Sequence, residues 1–509
     1  MQQTAINVVW LKRDLRWRDH APLAAAAAAG LPVLVVYCFD PALLQHPDYT
    51  TRHWRFVYES LRELRVTLQQ HGAELLVFQE EVVPVLNTLQ QHFQLKNIFS
   101  HLEVGLELTF KRDKAVKQWC RANAVAWQEF GQDGVIRGQK HRRGWQAGLE
   151  NHLQGPLIHY DPKRLQAPAI PAGLRSVADD SALPAVWRTP AANFQPGGES
   201  YAWRYLQSFF QERSRQYSKQ LSKPVLSRHS CSRLSPYLAY GNLSVRQVYQ
   251  ATLAQLQAGG DGFNLKNFKS RLYWRSHFLQ KLESGHYLEH RAINPGLENL
   301  GRTQDEIRWQ AFVQARTGYP MIDASLRCLA ATGWVNFRMR AMLVSFATFT
   351  LWLDWKPVAQ HLAGLFLDFE PGIHYAQIQM QAGLTGYNTL RVYNPNTQAE
   401  KHDPMGEFIH RWLPELRTVP APWCHRPWQM TAIDEVFYQC AIGQDYPHPI
   451  VDFEQETRRH KDRYWAIRQS PEVRAALPEL WRQFCMPGDV KKYQREEGRS
   501  AGEAAWSGG

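Results

Sequence analysis

Residues 367–380 read LDFEPGIHYAQIQM, and they bring two acids, Asp368 and Glu370, to a Pro371-Gly372 turn followed by an imidazole, His374, in otherwise apolar company. An ordinary core excludes such groups, because a buried carboxylate needs a charged partner or several hydrogen-bond donors. A second stretch, SRLSPYLAYGNLS at 232–244, sets Ser232, Arg233 and Ser235 around Leu234 and ahead of Pro236. It reads as a helix start, where free N–H groups, hydroxyls and a guanidinium can receive a pyrophosphate; an ordinary capped helix carries the same signature.

These residues must be held by a sizeable scaffold. At 509 residues, two domains are the starting expectation. The 59 Lys and Arg against 47 Asp and Glu give a formal charge of +12, which leans toward a polyanionic partner. Nineteen Trp call for a reason such as stacking, packing on a large cofactor, or electron transfer. Seven Cys are scattered without a CxxC pair, which argues against zinc, an iron–sulfur cluster or a disulfide framework, so no metal is expected. A reduced, cytoplasmic location fits that usage. The opening apolar run is too short for a secretory segment or a membrane span, and Gly30 and Pro32 divide APLAAAAAAGLPVLVVYCF into a helix and a strand. The expectation is a soluble monomer with no membrane association.

Short β-branched or aromatic runs at 6–11, 31–39, 73–79, 97–101 and 124–130 alternate with longer amphipathic segments such as 51–72. Strands separated by helices imply parallel βαβ units and a doubly wound sheet over 1–135. There is no GxGxxG after the first strand, so this is not an ordinary dinucleotide-binding unit. Ligands of such sheets still bind beyond the carboxyl ends of strands, where KRDLRWRDH at 12–20 lies. Residues 136–200, rich in Pro, Ala and Gly, read as a long linker. The pattern then turns helical over 201–475, and a polar tail is expected over 476–509. The fold class is therefore α/β plus all-α.

SRLSPYLAYGNLS, WRSHF at 274–278, TGYPMIDASLRCLAATGWVNFRMRAM at 317–342, LDFEPG and RVYNPNTQAEKHDPMGEFIHRWLPEL at 391–416 resemble, in order and spacing, the flavin domain of the cryptochrome/photolyase family. VVWLKRDLRWRDHAPL at 8–23 is similar to that family's opening strand and loop, so the resemblance covers roughly residues 1 to 460. It implies a helical FAD-binding domain in which Tyr217, Ser232, Arg233, Leu234, Ser235 and Arg275 hold the diphosphate and ribityl portion. Arg340 would pair with Asp368, Glu370 would lie at the flavin's polar edge, and His374 would face flavin N5, where it could titrate near neutral pH; the other reading of His374 is a tautomer-fixed histidine bonded to the backbone. Trp274 matches a residue that stacks on a lesion, and Arg338 and Arg391 match DNA-phosphate positions.

The chain departs from the family pattern at four points. Arg271 stands one turn before Trp274, where cyclobutane-dimer enzymes carry a carboxylate, and could bond base carbonyls or a phosphate. Phe337 follows TGWVN, and the histidines of (6-4) repair are missing. Ile378 and Met380 replace the two tryptophans of a WQW segment, so the electron chain keeps Trp355 as its middle member and loses its first; Trp334, Trp352, Tyr375 and Tyr387 are other candidates for the route. Gly105 and Leu106 occupy the place of folate contacts, which leaves the identity of an antenna chromophore open. The resemblance implies a deoxyribodipyrimidine photo-lyase, a light-driven enzyme repairing pyrimidine dimers in DNA, cyclobutane dimers foremost, by electron transfer from photoexcited reduced FAD. The alternative is a cryptochrome, a blue-light photoreceptor signalling through flavin redox state.

Overall fold

The computed structural model describes residues 3–178 and 180–495; the polar tail expected beyond 495 lies outside them. Strands β1 (Thr4–Leu11), β2 (Val33–Cys38), β3 (Glu74–Phe78), β4 (Phe93–His101) and β5 (Ala126–Phe130) form one sheet in the order β3-β2-β1-β4-β5. Every pairing is parallel. The chain winds outward from β1 to β3 and then returns to place β4 beside β1, so the switch in strand order falls between these two. Helices α1 (Ala21–Ala28), α2 (Thr51–Gln69), α3 (Val82–His92) and α4 (Glu107–Ala122) cover the faces. The period of two in β1 is visible in its burial: Ile6, Val8 and Trp10 pack into one apolar cluster, Val9 and Leu11 into another.

The second of these clusters does not stop at the domain boundary. It runs from Val9, Phe39 and Trp54 through Tyr237, Leu238, Phe268 and Leu272 of the helical part. At Gly241, with φ +69°, a Cβ would collide with the Arg13 carbonyl, so the close approach of the two units needs a residue without a side chain there.

The linker is not bare chain. Helix α5 (Trp145–Gln154) and several single turns interrupt it, and Trp145, Leu149 and Leu153 of α5 are buried. The helical domain builds the site from α6 (Tyr217–Gln220), α7 (Ser235–Ala239), α8 (Gly262–Ser284), α9 (Pro320–Thr332), α10 (Phe337–Ser345), α11 (Trp355–Leu365), α12 (Pro371–Gln381) and α13 (Pro395–His402). The expected boundary at 475/476 falls inside a further helix, α14 (Pro471–Phe484), whose Leu477, Leu480, Trp481 and Phe484 are buried. Apolar residues at helical spacing, not net polarity, decide that segment. Among the described residues, no helix is long and apolar enough to cross a membrane.

Candidate functional site

Helices α8 and α12 cross at Gly372, where a Cβ would lie 2.9 Å from the Leu279 Cα. Pro371 starts α12 with its fixed φ, and the missing side chain next to it lets the helix start press against α8. This crossing brings the two acids into the interior.

Asp368 meets Arg340 of α10 in a two-pronged contact, Nη1 donating to Oδ1 at 3.0 Å and Nη2 to Oδ2 at 2.9 Å. Arg340 Nε also donates to the Val335 carbonyl at 2.9 Å, and its guanidinium lies 4.2 Å from the Phe366 ring centre. The pairing inferred from the resemblance is present. Glu370 accepts from Arg275 Nη2 at 2.6 Å, and Arg275 is also ion-paired with Asp133 at 2.7 Å. Burial favours the neutral acid and pushes the Glu370 carboxyl up, while Arg275 and Arg13 oppose this.

One arginine from the loop after β1 ties these parts together. Arg13 Nε donates to the Ala239 carbonyl at 2.8 Å, Nη1 to the Tyr49 hydroxyl at 3.1 Å, and Nη2 to the Phe369 carbonyl, between the two acids, at 2.6 Å. In the same loop Asp14 faces His101 Nδ1 at 2.7 Å and His20 Nε2 at 3.0 Å. His20 Nδ1 accepts from the Leu23 amide at 3.2 Å, so Nε2 carries its proton toward the acid. Burial, opposed by Asp14, lowers both imidazoles, and the His101 hydrogen bond with the adjacent His20 ring holds Asp14 well below the usual carboxylate range despite its burial. Arg13, Asp133 and Gln195 escaped the sequence reading; only the strand-end position of 12–20 pointed toward the first.

Around α7, Arg233 adopts a left-handed φ of +60°. Its Nη2 donates to Gln195 Oε1 at 2.7 Å, and its own carbonyl accepts from Gln195 Nε2 at 2.9 Å. Its guanidinium lies 4.1 Å from the Trp334 ring centre, and its Nε is buried without a hydrogen-bond partner. Burial, then Arg228, lowers Arg233 to about 10. Leu234 is buried, Ser232 half-buried and Ser235 exposed. Tyr217 packs edge-on against Phe209 and Phe268. A buried guanidinium with an idle N–H, beside hydroxyls at a helix start, is a donor set that fits a diphosphate, so these residues suit the FAD implied by the motifs.

Of its two readings, His374 takes the backbone-bonded one. Its Nε2 meets the Ala359 carbonyl at 2.9 Å, and its ring packs among Phe366, Phe369 and Tyr375. Burial brings it down to about 4, with the carbonyl bond opposing. The imidazole therefore stays neutral through the range in which it was expected to titrate, with Nε2 as donor and Nδ1 as acceptor.

Toward the surface, Trp274 is 49% exposed and stacks on Phe278 with ring centres 5.8 Å apart. One turn earlier Arg271 donates to Asn267 at 3.0 Å, and Asn267 donates to Ser218 at 2.8 Å, which docks α6 on α8. Arg271 also lies beside the Tyr217 phenol, which burial pushes up to about 12. Arg338 sits 5.5 Å from the Tyr393 ring, Arg391 is exposed two residues earlier, and Lys223, Lys401 and Arg338 all lie close enough to disfavour a charge on His402, after burial. Met380 is half-buried on α12, and Ile378 is buried in the main helical core.

Trp355 is buried at the start of α11. Of the other aromatic candidates for an electron route, Trp334 faces Arg233 and Arg228, and Trp352 is stacked on His460 at 4.4 Å between Arg302 and Arg463. Tyr387 has Lys281 5.6 Å from its ring centre. A neighbouring cation opposes loss of an electron from a ring. Tyr375 differs: its hydroxyl donates to Asp48 at 2.7 Å, and burial pushes that carboxyl up to about 7. A small pocket of about 40 Å³ beyond β1 and β2 is lined by Trp10, Tyr37, Tyr49, Trp54, Glu103 and Tyr240 among others. Leu106, where a folate contact was sought, is wholly buried.

The chain belongs to the cryptochrome/photolyase family. Residues 7–144 match the family described as DNA photolyase, and residues 268–466 match the FAD binding domain of DNA photolyase. It is 28% identical over 490 residues to cryptochrome DASH of Synechocystis, covering 89% of this chain and 96% of that protein. It is 29% identical over 484 residues to a deoxyribodipyrimidine photo-lyase of Vibrio cholerae, covering 89% and 97%. The crystal structure of a bacterial class III photolyase from Agrobacterium tumefaciens superposes with a TM-score of 0.80 at 25% identity, over 92% of this chain and 99% of the other. The family thus includes repair enzymes and photoreceptors, and FAD is its cofactor.

Proposed function

We propose that the protein is a deoxyribodipyrimidine photo-lyase, which uses light to repair pyrimidine dimers in DNA, cyclobutane dimers foremost. The observation that carries this reading is the half-exposed Trp274 stacked on Phe278, on a chain whose exposed cations include Arg271 and Arg391. Large aromatic rings are normally covered; one left open is suited to receive the face of an extruded base, which costs the duplex a few kcal/mol of unstacking. Arg338 and Arg391, with Lys223 and Lys401, suit contacts to phosphates that fix the register of the strand.

When bound and reduced, FAD supplies the photoexcited electron donor for splitting the dimer. The protein's part is positional. The Arg340–Asp368 fork and the Glu370–Arg275–Asp133 ion pairs fix polar groups at the cofactor's edge, and Arg13 holds the intervening backbone. His374 offers an acceptor-only Nδ1. Trp274 orients the lesion, Arg271 bonds its carbonyls or a phosphate, and Met380 packs beside it. Tyr375, with Asp48 able to take its phenolic proton, is the favoured internal donor for reducing the cofactor, because Ile378 cannot serve.

The second reading is a cryptochrome photoreceptor. Arg271 in place of a carboxylate and the missing aromatic at 380 favour it. Repair of cyclobutane-dimer DNA by the photoreduced protein under blue light, against a dark control, separates the two. Light-dependent restoration of the bases supports the enzyme; its absence in FAD-loaded, reduced protein overturns it in favour of the receptor or another lesion.

A further inference from the structure

A cavity of about 240 Å³ lies where α2 meets the linker residues 190–196, lined by Arg52, Arg55, Phe56, Glu59, Phe194 and Gln195 with small apolar residues between them. Of the residues described above, Gln195, the partner of Arg233, is shared with this cavity.

Arg52 and Arg55 are three apart on α2 and therefore share a face. Their recorded partners are neutral: Arg52 Nη1 donates to the carbonyls of Leu329 at 3.2 Å and Leu365 at 2.7 Å, and Arg55 Nε to that of Val186 at 3.3 Å. Their guanidiniums lie 5.2 and 6.0 Å from the Phe194 ring centre. The one acid in the lining, Glu59, accepts from the Gly197 amide at 2.7 Å. Burial and the adjacent Arg55 lower Arg52 to about 10. Two guanidiniums over one aromatic ring outnumber the one lining acid, Glu59, which attracts Arg55 and Arg62, and so leave a net positive charge in the hollow. Inorganic phosphate would leave most of this volume empty.

We propose that this cavity is a binding site for an aromatic carboxylate, its acid bonded by Arg55 and Arg52 and its ring lying against Phe194 and the Pro190 to Ala192 wall. The Gln195 wall is bonded in both directions to Arg233, so occupancy would be felt at the diphosphate loop. That consequence rests on the functional reading given above; the binding itself does not.

The test is calorimetric titration of the FAD-loaded protein with 2-naphthoate and, separately, with the uncharged 2-naphthamide. The expected result is one saturable site for the acid, with the amide at least about tenfold weaker, since a charge-assisted hydrogen bond adds roughly 1.5 to 3 kcal/mol. Arg55→Gln should bring the acid down to the affinity of the amide. Ala192→Trp, at an exposed position lining the cavity, should abolish binding while leaving thermal stability and FAD content unchanged. Failure of the acid to bind overturns the proposal. Equal binding of acid and amide, or binding that survives Ala192→Trp, would each overturn it as well.

Discussion

The cradle around Asp368 and Glu370 and the mouth around Trp274 use the same residue types to opposite ends. In the cradle every acid meets a guanidinium, and the side chains of Asp368 and Glu370 are 3% and 7% exposed. At the mouth Trp274 is about half exposed, and Arg271 bonds the neutral Asn267 and Tyr217. Paired charges away from water fix positions, because breaking one leaves an ion that nothing solvates. Unpaired charges and open rings stay available to a ligand and contribute little to folding.

The largest effect that would break this contrast comes from Asp368→Ala. Arg340 is about a quarter exposed, which softens the penalty, so a stability loss of about 3 kcal/mol is expected together with loss of most bound FAD. Denaturant melts and the flavin-to-protein absorbance ratio measure both, and unchanged occupancy would remove Asp368 from the cofactor's contacts.

His374→Asn sharpens the contrast through pH. The folded pKa of about 4 lies below the ordinary histidine value, so between about 6.5 and 4 the unfolded chain binds a proton that the native one does not. The contribution to stability is full above pH 6.5 and falls as the pH drops toward 4, by on the order of 3 kcal/mol. The asparagine variant should show a correspondingly shallower loss in melts from pH 7 to 4. Photoreduction of the wild type should be flat between pH 6 and 8; an inflection there that vanishes in the variant would mean that the imidazole titrates after all.

At the mouth, Trp274→Ala should leave the melt within about 0.5 kcal/mol of wild type while lesion-bearing DNA binds roughly 10- to 100-fold more weakly, a stacking loss of about 1 to 3 kcal/mol. A large drop in stability with unchanged binding would move Trp274 into the core. The smallest effect is that of Arg338→Gln, which should weaken damaged and undamaged DNA alike and lower the salt slope by about one. A variant that loses only damaged DNA would make Arg338 a lesion contact.

Much of the architecture was legible in the chain. The strands between 6 and 130 announced themselves by β-branched runs, and the motif blocks identified the Arg340–Asp368 pair before any distance was known. The linker and tail were less legible. Weak periodicity concealed α5, and the polar residues of α14 obscured a buried stripe of Leu477, Leu480, Trp481 and Phe484. His374 shows the sharper limit: its residue type allows titration near neutral pH, and its surroundings forbid it.

The sequence by itself determined the elements, the two-part organisation, the family and the acids at the cradle, because these depend on local periodicity and on motifs close together in the chain. Only the tertiary structure decided that Arg13 reaches the Phe369 carbonyl 356 residues away, that Asp133 shares Arg275 with Glu370, that Gln195 braces Arg233, and that Ala359 fixes the tautomer of His374. These contacts join segments remote in sequence, and burial, which sets both pKa values and the need for partners, exists only once the chain has packed.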